Sequence, residues 1–232
     1  MAKIYKKMII IFDMDGTLID SSKDITTSIN YVRRKKGMQP LMVGEVVNTI
    51  NGNGNNLAKK FYDTDQYLSE DRETFEDHYT AQCTKNTKLY EGIFEIIGYI
   101  RSNNLLLSVA TNAPTYFAKK MLNHLKVASY FTIIKGSEKN IKPKPEPDMI
   151  LDILDYLDYD ETHDPKPVMI GDNQTDIDAA INASIDAIHA GWGFGKASDT
   201  GKSSADQYTM VDSPGDLKNH LVEHYNLNKN NL

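Results

Sequence analysis

The run Ile9-Ile10-Ile11-Phe12-Asp13-Met14-Asp15-Gly16-Thr17-Leu18 constrains this chain more than any other stretch. An apolar strand ends in two carboxylates, and a turn glycine follows at once. Side chains alternate along a strand, but a strand that has just ended can turn Asp13 and Asp15 toward one spot above the carboxyl edge of a sheet, where open α/β sheets bind ligands. Two crowded acids repel unless a cation or a proton sits between them. Hard oxygen ligands of this kind suit Mg²⁺, which takes one or two protein carboxylates and shares its remaining positions with water and phosphate. Alone, the motif also fits a plain acidic turn, with Asp as a helix cap and Gly at positive φ.

Strand signals recur at Met8 to Phe12, Leu105 to Ala110, Tyr130 to Ile134, Val168 to Ile170 and Ala187 to Ala190, and they alternate with helical stretches such as Gly92 to Ser102 and Pro114 to Leu125. This alternation predicts an α/β fold, a Rossmann-like parallel sheet flanked by helices. From about Ser22 to Lys88 no convincing strand is visible, and apolar residues recur at helical spacing around the turn Asn51-Gly52-Asn53-Gly54-Asn55. That interval reads as an inserted α-helical domain.

Three further signatures follow the first. Ser108-Val109-Ala110-Thr111-Asn112 ends the second apolar strand in a hydroxyl, which alone would pass for a helix cap. Ile141-Lys142-Pro143-Lys144-Pro145-Glu146-Pro147-Asp148 carries three alternating prolines that fix the backbone around a lysine. Val168-Met169-Ile170-Gly171-Asp172-Asn173-Gln174-Thr175-Asp176 gives a strand, a glycine turn and two acids that share one face of the helix opening there. In this order the four motifs resemble those of the haloacid dehalogenase-like superfamily of aspartate-nucleophile phosphotransferases.

The resemblance implies roles residue by residue. Asp13 is the nucleophile that forms an aspartyl-phosphate, and Asp15 is the general acid and base. Thr111, the backbone N–H of Asn112, and Lys142 hold the phosphoryl oxygens, whereas Lys144 falls at a variable position facing solvent. Mg²⁺ is held by Asp13, the backbone carbonyl of Asp15 and Asp172, with Asp176 in support. The insert corresponds to a small helical cap, which places the catalytic core at residues 1–21 and 89–232, the cap at 22–88, and hinges near Ile19 to Ser22 and Thr84 to Tyr90. The presence of Asp15 points to water as final acceptor, hence to a phosphatase.

The cap turn, the stretch Lys88-Leu89-Tyr90-Glu91-Gly92 and the segment Ala190-Gly191-Trp192-Gly193-Phe194-Gly195 are similar to the phosphoglycolate phosphatase branch, although Ala113 stands where that branch commonly has Lys. Two alternatives stay open: a phosphosugar mutase of the β-phosphoglucomutase type, against which Thr17 leans, and a non-catalytic binding or regulatory protein on the same fold. Asn51, Gly52 and Asn53 are candidates for substrate selection, because glycine lets backbone approach a ligand and asparagine offers uncharged donors and acceptors.

A net charge of −6 gives no drive toward nucleic acid or an anionic membrane, and no apolar run approaches a membrane span. The single cysteine, Cys83, rules out an internal disulfide and fits a reducing compartment. The expectation is a cytoplasmic enzyme, monomeric or homodimeric, acting on a small phosphorylated metabolite. His220-Leu221-Val222-Glu223-His224 matches an inverted zinc-protease pattern but reads as a terminal helix, and Gly191 to Lys196 lacks the first glycine and the hydroxyl of a phosphate-binding loop. Tyr62, Tyr67 and Tyr79 suit packing within the insert, and Asn226 to Leu232 reads as a frayed tail.

Overall fold

A computed structural model describes residues 7–52, 56–160, 165–195 and 208–225. Its main sheet has six strands in the order β5-β4-β1-β6-β7-β8: Ile133–Ser137, Leu106–Pro114, Ile9–Phe12, Val168–Gly171, Asp186–Ala190 and Thr209–Val211. Every pairing in it is parallel. The central strand β1 is buried along its whole length, and its alternation sends Ile10 and Phe12 into one core and Ile9 and Ile11 into another. The first core is closed by helices α5 (Ile93–Ser102), α6 (Thr115–His124) and α9 (Pro214–His224), the second by α7 (Asp148–Tyr156) and α8 (Gln174–Asn182). Helices on both faces explain why the sequence around β1 shows no polar alternation.

After β1 the chain runs outward to β4 and β5, then returns across the sheet to β6 on the other side of β1. The reversal opens a crevice beyond the carboxyl ends of β4, β1 and β6, the place where sheets of this type bind ligands.

Among the described residues, four helices lie between β1 and α5: α1 (Ser22–Lys35), α2 (Val43–Ile50), α3 (Leu57–Tyr62) and α4 (Ser69–Gln82). They close around their own small core of Ile29, Val32, Val46, Phe61 and Tyr62. Where the chain enters and leaves this bundle, β2 (Ile19–Asp20) and β3 (Lys88–Leu89) pair antiparallel as a separate two-stranded ribbon. Two residues per strand are too few for the alternation pattern to announce them.

Two predicted strands have clearly different bounds in the structure, and β8 was not predicted. The apolar stretch predicted as a strand from Tyr130 begins only at Ile133, because Ala128–Tyr130 form a 3₁₀ turn capping the preceding segment. The second apolar strand continues four residues past Ala110, to Pro114, with its register against β5 broken between those two positions. Thr111 and Asn112 therefore sit on an irregular strand end rather than at a helix cap. The proposed frayed tail from Asn226 lies outside the described residues.

The ribbon is reinforced by Asp24, a fully buried carboxylate on the first turn of α1. Its oxygens accept from the backbone N–H groups of Asn86 (2.8 Å) and Thr87 (2.9 Å), and from the side chains of Gln82, Asn86 and Thr87. One carboxylate thus joins the start of the helical insert to its exit. Burial alone would raise the pKa of Asp24, but the hydrogen bonds from Asn86 and Thr87 hold it below the usual carboxylate value. Asp24→Ala leaves two buried donors, the Thr87 N–H and the Gln82 side-chain amide, without their partner, so it should destabilise the fold by about 3 kcal/mol, roughly 6–12 °C in Tm for a chain of this size. Because the folded pKa lies below the unfolded one, about 3.9, this stabilisation is complete above that pH and is lost as pH falls through the folded value. Melting curves of wild type and Asp24→Asn should converge below about pH 4; a gap that stays constant down to pH 3.5 would contradict the assignment.

Candidate active site

The end of β1 is drawn toward β6 by the backbone of Asp13, whose N–H donates to the carbonyl of Ile170 at 2.8 Å. The Met14 carbonyl then accepts from Leu18 and Ile19 at 2.9 and 3.0 Å, which folds Asp15-Gly16-Thr17 into a tight loop with Gly16 at φ +89°. A side chain at Gly16 would meet the Asp172 carboxyl, its Cβ only 2.4 Å from an oxygen. Glycine here serves both a left-handed backbone and a close approach.

Around this loop Asp13, Asp15, Thr111, Asn112, Lys144, Asp172 and Asp176 line one cavity of about 290 Å³. Lys144 is the residue that sequence reasoning misplaced. Its ammonium lies 2.6 Å from Asp13 Oδ1 and 2.5 Å from Asp176 Oδ1, almost fully buried, and it also donates to the Ala110 carbonyl. Lys142, the lysine expected there, is exposed. The register has a physical cause. Asn112 clamps the Lys144 backbone from both sides, accepting from its N–H at 2.8 Å and donating to its carbonyl at 3.0 Å, so the residue delivered to the sheet edge is the one four before α7. Counting back from the helix start, rather than forward from the first proline, would have found it.

Asn112 thus has a positioning role in its side chain, apart from the backbone contact expected of it. Thr111 is buried, and its hydroxyl oxygen accepts from the Ala113 N–H at 3.2 Å, which leaves the hydroxyl proton to donate into the cavity.

Asp172 is held by three donors: Thr17 Oγ1 at 2.9 Å, Phe194 N–H at 2.8 Å and Gly195 N–H at 2.9 Å. Added Cβ atoms at Gly193 and Gly195 would fall 2.3 and 1.9 Å from neighbouring atoms, so the segment after β7 can wrap Asp172 only as glycine. The Trp192 indole fixes the same segment by donating to the Thr17 carbonyl at 3.0 Å. The sequence signal was the repeated glycine after a strand, which here cradles a carboxylate instead of a phosphate. Asp176 caps α8 by accepting from the Asn173 N–H at 2.9 Å while its other oxygen meets Lys144.

Carboxylate oxygens of Asp13, Asp172 and Asp176 lie within 4.8 Å of one another. Burial raises the pKa of Asp13 well above the usual range, opposed by Lys144 and reinforced by repulsion from Asp176 and Asp172. Burial followed by repulsion from Asp176 pushes Asp172 up to about 6. For Lys144, burial would lower the pKa, but Asp13 and Asp176 hold it above the usual lysine value. Three buried carboxylates facing one ammonium form a donor set of hard oxygens with excess negative charge, which fits a divalent cation. Asp176 belongs to this set as directly as Asp13 and Asp172. The Asp15 side chain is outside it: its carboxylate accepts from Ser21 Oγ, and burial pushes its pKa up to about 6 against that hydrogen bond and the charge of Lys144.

Of the turn singled out in the insert, Asn51 reaches the site. It lines the cavity, and its Oδ1 accepts from Asn173 Nδ2 at 3.0 Å. Gly52 ends the described part of that turn, and Asn53 lies outside the described residues.

The family model for haloacid dehalogenase-like hydrolases matches residues 10–190. A phosphoglycolate phosphatase from Aquifex aeolicus is 31% identical over 219 residues, covering 93% of this chain and 99% of that protein. The tyrosine-protein kinase PtkA of Mycobacterium tuberculosis is 26% identical over 216 residues, covering 92% of this chain and 72% of that one. Among solved structures, a haloacid dehalogenase-like hydrolase from Streptococcus pneumoniae superposes with a TM-score of 0.77 at 22% identity, over 93% of this chain and 99% of the other, a likeness of fold. With its acids brought together at the carboxyl edge of β1 and β6, this chain belongs to the haloacid dehalogenase-like hydrolases, as a phosphatase of the phosphoglycolate phosphatase-like branch.

Proposed function

We propose that the protein is a Mg²⁺-dependent phosphomonoesterase that transfers the phosphoryl group of a small cytoplasmic metabolite to Asp13 and then to water. The observation that carries this reading is the Asp13 carboxylate, 2.6 Å from Lys144 in a cavity it shares with Asp15, Thr111, Asp172 and Asp176. Asp13 attacks phosphorus and forms an aspartyl-phosphate, dividing one displacement into two. Asp15 gives a proton to the leaving oxygen, then takes one from the water that cleaves the intermediate. Its hydrogen bond to Ser21, at the entrance to α1, fixes the carboxyl between the core and the insert. The Thr111 hydroxyl and the Lys144 ammonium meet the equatorial oxygens, where the charge of a loose transition state is spread. Bound among Asp13, Asp172 and Asp176, Mg²⁺ would supply the positive charge that lets an anionic nucleophile approach a phosphate dianion.

In the same reading residues 22–88 act as the cap and 1–21 with 89–232 as the catalytic core. Over the catalytic cavity the cap meets the core at the Asn51–Asn173 hydrogen bond, α4 packs its Tyr79 against Phe117, and the ribbon of β2 and β3 serves as the hinge.

Asp13→Asn keeps the size of the side chain but removes the attacking charge, and turnover of a phosphomonoester should fall by at least about 10³. Turnover near wild type would eliminate covalent catalysis by this aspartate.

The two lysines provide a sharper comparison. Lys144→Ala should lower kcat by about 10² to 10³, the scale for losing a preorganised donor, whereas Lys142→Ala should stay within about twofold of wild type. Steady-state kinetics on both variants, with unchanged far-UV spectra, decide it; equal losses would remove Lys144 from the phosphoryl site.

A further inference from the structure

Beside the catalytic cavity lies a second and larger one, of about 450 Å³, between the helical insert and the end of β4. Ile29, Phe61, Tyr62, Tyr67 and Phe75 form its walls. Ile25, Ile50, Leu57 and Asn112 line both cavities, so the two adjoin. A ligand whose phosphate meets Asp13 would extend its organic part into this chamber.

The charges around that path are unfavourable to a second anion. Among the described residues, the cation lining the catalytic cavity is Lys144, and it is held by Asp13 and Asp176. The chamber adds one cation, the exposed Arg72, beside the carboxylates of Asp71 and Glu76. Asn51 stands where the catalytic cavity meets the cap. Its Nδ2 is buried and has no partner among the described residues. The assignment of that donor is fixed by its neighbours: Asn173 Oδ1 accepts from the Thr175 N–H at 3.1 Å, so Asn173 must present Nδ2 to Asn51, and Asn51 must answer with Oδ1. A buried amide donor facing a cavity is satisfied when a ligand brings an acceptor.

We propose, on the basis of the phosphatase reading above, that the substrate is a phosphomonoester with an uncharged, largely apolar organic part. That part occupies the chamber between cap and core, and the Asn51 amide donates to an oxygen at the phosphate end. Apolar walls stabilise such a body by removing it from water, at up to about fourfold in affinity per buried methylene.

The test compares three primary alkyl monoesters of similar leaving-group chemistry, ethyl phosphate, 4-phenylbutyl phosphate and 2-phosphoglycolate, with Mg²⁺ present and released phosphate measured. The expected result is a kcat/KM for 4-phenylbutyl phosphate at least about tenfold above that for ethyl phosphate, with 2-phosphoglycolate no better than ethyl phosphate. Tyr67→Asp, which sets a charge in the chamber wall, should bring the phenylbutyl-to-ethyl ratio back toward one. A ratio near one in wild type, a preference for 2-phosphoglycolate, or a ratio unmoved by Tyr67→Asp in a folded variant would overturn the proposal and leave the phosphatase reading standing. Should Tyr67→Asp not fold, the wild-type series alone decides. Release of phosphate from none of the three would instead overturn the phosphatase reading.

Discussion

Mutual repulsion among carboxylates at one sheet edge is the constraint around which this molecule is organised. Asp13, Asp172 and Asp176 are buried and face one another, an arrangement that would drive the strand ends apart if nothing offset it. Lys144 supplies one positive charge within 2.6 Å of two of the acids. Backbone donors and the Thr17 hydroxyl hold the third. Negative charge remains in excess, an arrangement that fits a divalent cation rather than an inert buried network.

The insert is joined to the sheet-bearing part of the chain at its two ends, along α4 and beside the acidic site. Its entrance and exit pair over two residues on each strand, and a single buried carboxylate, Asp24, ties them. Beside the acidic site, Asn51 and Asn173 join their amides, and Ile25, Ile50 and Leu57 line the same cavity. Between these two places α4 packs into the main core as well, with Tyr79 edge-on to Phe117 and its hydroxyl against Met121 of α6.

Much of this was legible in the sequence. The buried strand β1, the alternation of strands and helices and the helical insert follow from patterns that local chemistry dictates, while Asp13, Asp15, Thr111, Asp172 and Asp176 were singled out by the resemblance of four motifs and line one cavity in the structure. Lys144 was not, because three alternating prolines offer two equivalent lysines and only a tertiary clamp, the Asn112 side chain on the Lys144 backbone, chooses between them. The ribbon of β2 and β3 was hidden by its length. The hold of Phe194 and Gly195 on Asp172 joins residues more than twenty positions apart through backbone N–H groups, which carry no residue-type signature.

The glycines around Asp172 also bear on how a site like this can change over evolutionary time. Gly16, Gly193 and Gly195 contribute no functional group, yet any β-carbon at these positions collides with Asp172 or its neighbours at 2.4 Å or less. They make the loop geometry as resistant to drift as the acids themselves. Ala113 and Asn51 line the same cavity from the strand end and the insert with side chains rather than with close-packed backbone. New specificities can therefore arise by exchanging side chains on the rim while the glycine cradle, and with it the reaction, stays fixed.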